Sequence, residues 1–398
     1  LQLVTMATTS SADTAQSQSE EQAAKLPQMS FRYLGQSGVK VSALCMGTMT
    51  FGAGQRPGNT DESGSHALLD QFVQAGGNFI DTAGVYNSGQ SERIIGSWLA
   101  ARSCRQSVVL ATKFYGPVDD SSQDQNCRGA SRRHMIAALD DSLERLATDR
   151  VDLLQQHCFD AATPLEETLR TAHDLIRSGR VHYFGVSNFS GWQLQKAVCT
   201  SERLGLEPVL CLQQQYSLLS RQVELELLPV CANEGVGLLA WSPLKGGLLT
   251  GKFSRPNETS AGAVTATAPD ASTRVGWGAT VGFANEANPS WAKFSADPAY
   301  WRVMEAVNSV ASKRGVPPSQ VALRWLLHQP AVASVIIGAK TPTQLAENLA
   351  CESWRLTADE LKSLTMASDV ERVYPYEMQA RNAAAADRLR VRNANCVW

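Results

Sequence analysis

No run of apolar residues in this chain approaches the ~18 that a helical membrane span needs. Nor is there an excess of charge of either sign: 36 Lys and Arg stand against 38 Asp and Glu, a net of −2. That balance supplies no basic face for nucleic acid or for an anionic membrane surface. No two of the nine cysteines form a CxxC pair, and none has Cys/His metal spacing. An odd, scattered set suits free thiols in a reducing compartment better than a disulfide scaffold, so the expected location is cytoplasmic. Cys45, Cys158, Cys211 and Cys231 sit in apolar segments and read as small buried hydrophobes.

Residues 1–29 also lack something, namely any hydrophobic period. They are rich in Ser, Thr, Ala and Gln and are expected to form a disordered tail. A transit peptide should carry Arg and few acids; this segment has Asp13, Glu20 and Glu21 and no Arg. A targeting role for it, and so an organelle, is the alternative to the cytoplasm.

With 43% hydrophobic and 19% charged residues over 398 positions, the chain has ample material for a core. Eight short β-rich runs follow residue 30: "SALCMG", "GNFIDT", "SVVLATK", "VDLLQQH", "VHYFGVS", "PVLCLQ", "VGLLAWS" and "ASVIIG". Amphipathic stretches such as "LEETLRTAHDLIRSG" lie between them. Strands separated by helices of that length pair in parallel through right-handed crossovers. Eight units predict an α/β fold, a (β/α)8 TIM barrel; the competitor is a doubly wound sheet. "FRYLGQSGVKVSAL" predicts an N-terminal β-hairpin turning at Gly35 to Gly38. A long loop follows strand 7, over residues 254–300, where a lid would sit. Residues 371–398 form a C-terminal tail with one candidate helix.

"GGLLTGKF", Gly246 to Phe253, has P-loop spacing up to Lys252. The Ser or Thr that would hold magnesium is replaced by Phe253, and no helix start follows. An ATPase is therefore not expected, although a glycine-rich loop with a lysine can hold another phosphate. "GAGQRPG", Gly52 to Gly58, has the wrong spacing for a dinucleotide fingerprint and is read as a loop.

In a (β/α)8 barrel the active site gathers at the C-terminal strand ends. Those ends carry Asp81 with Tyr86 in the following loop, then Lys113, His157, Ser187 with Asn188, Gln213, Trp241 with Ser242, and Gly338. Singly, each has a bland reading. Asp81 can cap a turn, Tyr86 can cover a core edge, Lys113 can reach solvent, and His157 can be a hydrogen-bonded interior histidine. Jointly, four ionisable groups of complementary type meet on one rim, and the opposite strand ends show nothing comparable. Tyrosine, with a reference pKa near ~10, is a reluctant proton donor near neutrality. A cation beside a phenol oxygen favours phenolate. Lys113 is the candidate cation and Asp81 its anchor, with His157 orienting a substrate oxygen and helping to relay the proton. Such a set protonates a carbonyl oxygen while hydride reaches the carbon, so a cofactor is implied.

These residues resemble the aldo-keto reductases over about residues 30–370. The resemblance rests on "RYLGQSGVKVSALCMGTMTFG", "GGNFIDTAGVYNSGQSERIIGSWL", "GVSNFS", "QQYSLLSR", "AWSPLKGGLLTGKF" and "SVIIGAKTPTQLAEN". It is nearest to the branch of broad-specificity bacterial- and plant-type reductases and potassium-channel beta subunits. The resemblance implies a catalytic tetrad of Asp81, Tyr86, Lys113 and His157, with Tyr86 the general acid in reduction. It implies that Ser187, Asn188 and Gln213 bind the nicotinamide carboxamide, that Trp241 stacks on the nicotinamide, and that Thr48 also contacts the cofactor. Ser242, Pro243, Leu244, Gly246 and Lys252 would wrap the pyrophosphate, and Gly338, Lys340, Gln344, Glu347 and Asn348 the adenosine end. A cation at Lys340 favours NADP(H) over NAD; the bland alternative is a solvated loop lysine beside a Thr341 helix cap. The implied activity is NADPH-dependent reduction of aldehydes or ketones to alcohols, with a small-molecule carbonyl or alcohol as partner. The alternative is an NADP(H)-binding regulatory subunit of a partner protein with little turnover. The chain departs from the family at Cys158 and Phe159, where an aromatic residue and proline are common, so that pocket wall is expected to differ. Substrate preference and oligomeric state do not transfer.

Overall fold

The computed structural model describes residues 29–52, 59–119, 121–253, 255 and 291–385. Most of the tail 1–29, the loop glycines after Gly52, most of the segment 254–300 and the last residues of the C-terminal tail fall outside the described residues.

Two short strands, β1 (Phe31–Tyr33) and β2 (Lys40–Ser42), pair antiparallel, and Gly35 at φ 54° makes the turn between them. Eight further strands close a parallel barrel: β3 (Leu44–Gly47), β4 (Phe79–Asp81), β5 (Val109–Phe114), β6 (Val151–Gln156), β7 (Val181–Ser187), β8 (Val209–Gln215), β9 (Gly237–Trp241) and β10 (Val332–Ile337). They run in chain order, and β10 pairs with β3 to close the ring. The expected (β/α)8 barrel and hairpin are present.

Helix starts follow local chemistry. Asp61 caps the helix Glu62–Gln74 by accepting from the Gly64 N–H, and Ser131 accepts from the His134 N–H at the start of Arg132–Arg145. Thr357 and Glu360 form a reciprocal capping box for Ala358–Ala367. The apolar faces of these helices pack on the outside of the barrel, so every barrel strand is covered on both faces. That is why the strands read as continuous apolar runs.

Inside the barrel, Cys45, Phe79, Ala111, Leu153, Cys211, Leu239 and Ala333 fill a second apolar cluster, with Leu34 and Val41 of the hairpin packed against it. Leu34 is fully buried, so the hairpin works as a plug. Cys45, Cys211 and Cys231 are buried as expected, whereas Cys158 is only half-buried and does not belong to the core.

The plug is pinned by charge at its far end. The Arg32 guanidinium donates to the carbonyls of Leu327 and Val332, at the start of β10. Close by, buried Arg324 donates to Glu352 at 2.8 Å, and Glu352 accepts from the backbone of Ser30 at 3.1 Å. These residues come from the hairpin and from helices, so inspection of strand ends misses them. Their contacts tie the chain's two halves together.

Candidate active site

Strand parity decides which side chains enter the barrel. On β4 the inward residue after Phe79 is Asp81; on β5 Lys113 follows Val109 and Ala111; on β6 Gln155 follows Leu153; on β8 Gln213 follows Cys211. Apolar layers below and polar residues above thus divide the barrel into a plugged base and a reactive top.

Asp81, 2% exposed, is the hub of that top layer. Lys113 Nζ donates to Asp81 Oδ2 at 2.6 Å, to the Thr82 carbonyl at 2.8 Å and to Tyr86 Oη at 3.2 Å. Three acceptors match the three hydrogens of an ammonium. Burial by itself would lower the Lys113 pKa, but the charge of Asp81 and the Tyr86 oxygen outweigh it and hold it above its ordinary value. The other oxygen of Asp81 accepts from Gln213 Nε2 at 2.8 Å and Gln155 Nε2 at 3.0 Å.

The turn carrying Tyr86 is held from both sides. Asn87, Ser88 and Gly89 all take left-handed φ values of 49°, 52° and 81°. Asn87 Nδ2 donates to the carbonyls of Met49 and Phe51, at 3.2 and 2.5 Å. Below the turn, fully buried Glu92 accepts from Thr112 Oγ1 at 2.5 Å and from Arg145 Nε at 2.7 Å. The Tyr86 ring meets His157 edge-on, with centroids 6.1 Å apart. Burial, and then the Lys113 charge, push the His157 pKa down to about 3, so its imidazole is neutral at physiological pH. It can orient an oxygen as a neutral donor.

Asn188, in the left-handed region at φ 56°, sits where Asn is one of the few tolerated side chains. Its Nδ2 donates to the His157 carbonyl at 2.9 Å and to Ser187 Oγ at 3.0 Å, and its Oδ1 accepts from Trp241 Nε1 at 3.2 Å. This fixes the plane of the Trp241 indole. Thr48 Oγ1 donates to the Asp81 carbonyl at 3.0 Å.

Beyond β9 the chain turns through Ser242, Lys245, Gly246 and Gly247, all with positive φ. Three consecutive positive-φ residues, Lys245 to Gly247, keep the chain out of a regular helix and leave backbone N–H groups free of a helical ladder. Among the described residues the loop runs on as a 3-10 turn, Lys245–Thr250, and not as an α-helix, which agrees with the rejection of a P-loop. Lys252 lies at the far end of this loop. Buried Lys245, passed over by inspection of the sequence, donates to Gln215 Oε1 at 2.9 Å and Ser220 Oγ at 2.7 Å and braces the loop against β8. After β10, the Lys340 N–H donates to Gln344 Oε1 at 3.0 Å, Thr341 Oγ1 accepts from the Gln344 N–H at 3.3 Å, and Asn348 Nδ2 donates to the Gly338 carbonyl at 3.4 Å.

These elements surround one cavity of ≈ 1070 Å³. Asp81, Tyr86 and His157 stand on its wall, as does every residue that the resemblance placed against a cofactor, Pro243, Leu244 and Glu347 included. Lys113 does not line it and acts from behind Tyr86. Gln155, a polar residue on the inward parity of β6 two positions before His157, was missed. The period-two pattern of "LLQQH" contained that signal.

An acid, an ammonium, a phenol and a neutral imidazole at the C-terminal mouth of a parallel barrel, beside a long polar cavity, define a barrel enzyme with its site in the usual place for that fold. The chain belongs to the aldo/keto reductase family: the family's model matches residues 43–369. Among its relatives, an uncharacterised oxidoreductase, YrpG, of Bacillus subtilis is 35% identical over 342 residues, covering 84% of this chain and 95% of the relative. Norsolorinic acid reductase A of Aspergillus parasiticus is 30% identical over 347 residues, 85% of this chain and 81% of the relative. A probable voltage-gated potassium channel subunit beta of Oryza sativa subsp. japonica is 36% identical over 325 residues, 81% and 90% respectively. The family and its oxidoreductase members place this chain among carbonyl-reducing oxidoreductases, a class that works with nicotinamide cofactors. No helix among the described residues is long and apolar enough to cross a membrane.

Proposed function

We propose that this protein reduces aldehydes or ketones to alcohols with NADPH, using Tyr86 as the proton donor. The observation that carries this reading is the placement of Lys113 Nζ, 2.6 Å from Asp81 and 3.2 Å from Tyr86 Oη. A buried cation paired on one side with a carboxylate and on the other with a phenol is arranged to stabilise the phenolate left after proton transfer.

The cavity's donor set fits a nicotinamide dinucleotide. Asn188, Ser187 and Gln213 offer hydrogen-bonding groups of both kinds beside the fixed Trp241 ring. The left-handed backbone at Gly246 and Gly247 and Lys252 suit a pyrophosphate, and Lys340 with Gln344 at a helix start suits a 2′-phosphate. When bound, that cofactor supplies hydride to the carbonyl carbon. His157 orients the carbonyl oxygen toward Tyr86 Oη. As the C=O π bond opens, Tyr86 gives its proton to that oxygen, so one C–H and one O–H bond form. Lys113 holds the resulting phenolate, which regains a proton from solvent. In oxidation Tyr86 is the base.

Steady-state NADPH oxidation with a panel of aromatic, aliphatic and sugar carbonyls tests this. Turnover with at least one class is expected. The 36% identity to the rice channel beta subunit supports a second reading, a regulatory subunit that binds NADP(H). Tight NADPH binding without turnover on any class would select it.

A further inference from the structure

We infer that Gln155 is a positioning residue that sets which atom Gln213 shows to the cofactor, and so makes the site selective for a carboxamide. The inference rests on the NADPH reading above. Gln155 is fully buried and Gln213 is 3% exposed. Gln155 Nε2 donates to Asp81 Oδ1 at 3.0 Å; Gln213 Nε2 donates to the same oxygen at 2.8 Å and to Gln155 Oε1 at 3.1 Å.

The orientation of both amides follows from chemistry. An ionised carboxylate accepts hydrogen bonds and donates none, so each glutamine must turn its NH2 toward Asp81. The Lys113 ammonium pairs with Oδ2 of the same carboxylate at 2.6 Å. Gln213 then has two N–H hydrogens and two acceptors for them, Asp81 and Gln155. Its N–H groups are spent inside the barrel, and the group it presents to the cavity is the Oε1 carbonyl. A carbonyl there calls for a donor, which the NH2 of a nicotinamide carboxamide supplies. Without Gln155, the second Gln213 hydrogen has no buried acceptor, and the amide gains a reason to rotate and offer N–H instead.

Gln155 does not border the cavity, so it acts only through Asp81 and Gln213. The same triangle couples the two halves of the site: the amides that orient Gln213 also hold the carboxylate that anchors Lys113.

The test measures binding, by fluorescence titration of the full chain, of NADPH and of its reduced 3-acetylpyridine analogue, which keeps the ring carbonyl but lacks the NH2. Wild type is expected to prefer NADPH by about tenfold, the worth of one well-made hydrogen bond. Gln155→Leu should lose most of that preference while its affinity for the analogue changes little, a split that general loosening of the fold would not give. A Gln155→Leu protein that prefers NADPH as strongly as wild type overturns the inference. So does a wild type that binds both cofactors equally, whereas a wild type that binds neither overturns the NADPH reading itself. Gln155→Glu provides a second route. Its carboxyl accepts from Gln213 whether ionised or protonated, so this variant should keep the NADPH preference that Gln155→Leu loses. A Gln155→Glu protein that loses the preference as fully as Gln155→Leu contradicts the assignment.

Discussion

Lys113 Nζ and Tyr86 Oη stand 3.2 Å apart, although 27 residues separate them in the chain and they sit on different elements, a strand and a loop. The approach is possible because Asp81 and the Thr82 carbonyl occupy the other two hydrogens of the ammonium and aim the third at the phenol.

Replacement of Lys113 by Met leaves the Asp81 carboxylate buried beside an apolar chain. Breaking a buried pair from one side costs about 3–5 kcal/mol, because the remaining charge is uncompensated. Urea unfolding of Lys113→Met should show a loss of that size. Asp81→Asn combined with Lys113→Met should recover part of it, since the double variant buries no charge. A double variant that is less stable by the full sum of the two single losses would mean that the pair is not coupled.

The neutrality of His157 has a consequence for stability. Its folded pKa, pushed down to about 3 by burial and Lys113, lies below the usual histidine value of ~6.5. Between those values the unfolded chain binds a proton that the folded chain does not, so stability falls as pH drops through that window. The slope for one such group is about 1.4 kcal/mol per pH unit. His157→Gln should flatten the loss of melting temperature between about pH 6.5 and about pH 4 relative to wild type, a range inside the window between the free histidine value and the folded value of about 3. Parallel curves for the two proteins would contradict it.

The four-residue cluster proposed as the catalytic tetrad was legible because each member ends, or follows, a strand with an unmistakable apolar run. Asp81 closes "GNFID", Lys113 closes "LATK" and His157 follows "LLQQ". Parallel pairing of such strands brings their C-terminal ends to one rim whatever the sequence distance. Gln155 was hidden because it lies inside a strand, where an amide reads as an interruption and its partner is 74 residues away. The Arg324–Glu352 pair lies on helices and a turn, where a charged residue reads as a solvated face. Lys245 looked like part of a glycine-rich phosphate loop, yet its side chain turns inward to Gln215 and Ser220. Side chains that act across the barrel or between helices leave no local pattern.

At the far end of the cavity, Lys340 provides a charge at the start of the helix Pro342–Leu349. Lys340→Ala is predicted to weaken NADPH binding by about tenfold, the scale of one charge-assisted contact, and to leave NADH binding nearly unchanged. Isothermal titration with both cofactors measures the ratio directly. Equal losses would remove the 2′-phosphate contact from the account.

Gly47, at the end of β3 on the cavity wall, packs against β10 so tightly that a Cβ would meet Ile336 Cγ2 at 2.6 Å and the Ile337 carbonyl oxygen at 3.2 Å. Gly47→Ala should therefore destabilise the barrel by about 1–3 kcal/mol, as overpacking does. Chemical denaturation reads this out, and an unchanged midpoint would show that the β3–β10 seam yields freely.

The most direct measurement compares wild type with Tyr86→Phe in single-turnover reduction of a carbonyl that wild type accepts, with NADPH affinity determined on the same samples. The variant keeps the ring and loses only the oxygen that faces Lys113. The account predicts a rate lower by about 10²–10⁴-fold, the usual worth of a positioned acid, and a cofactor affinity within about twofold of wild type. A variant that turns over at the wild-type rate would take the proton donor away from Tyr86 and leave the Lys113–Tyr86 contact without a chemical role.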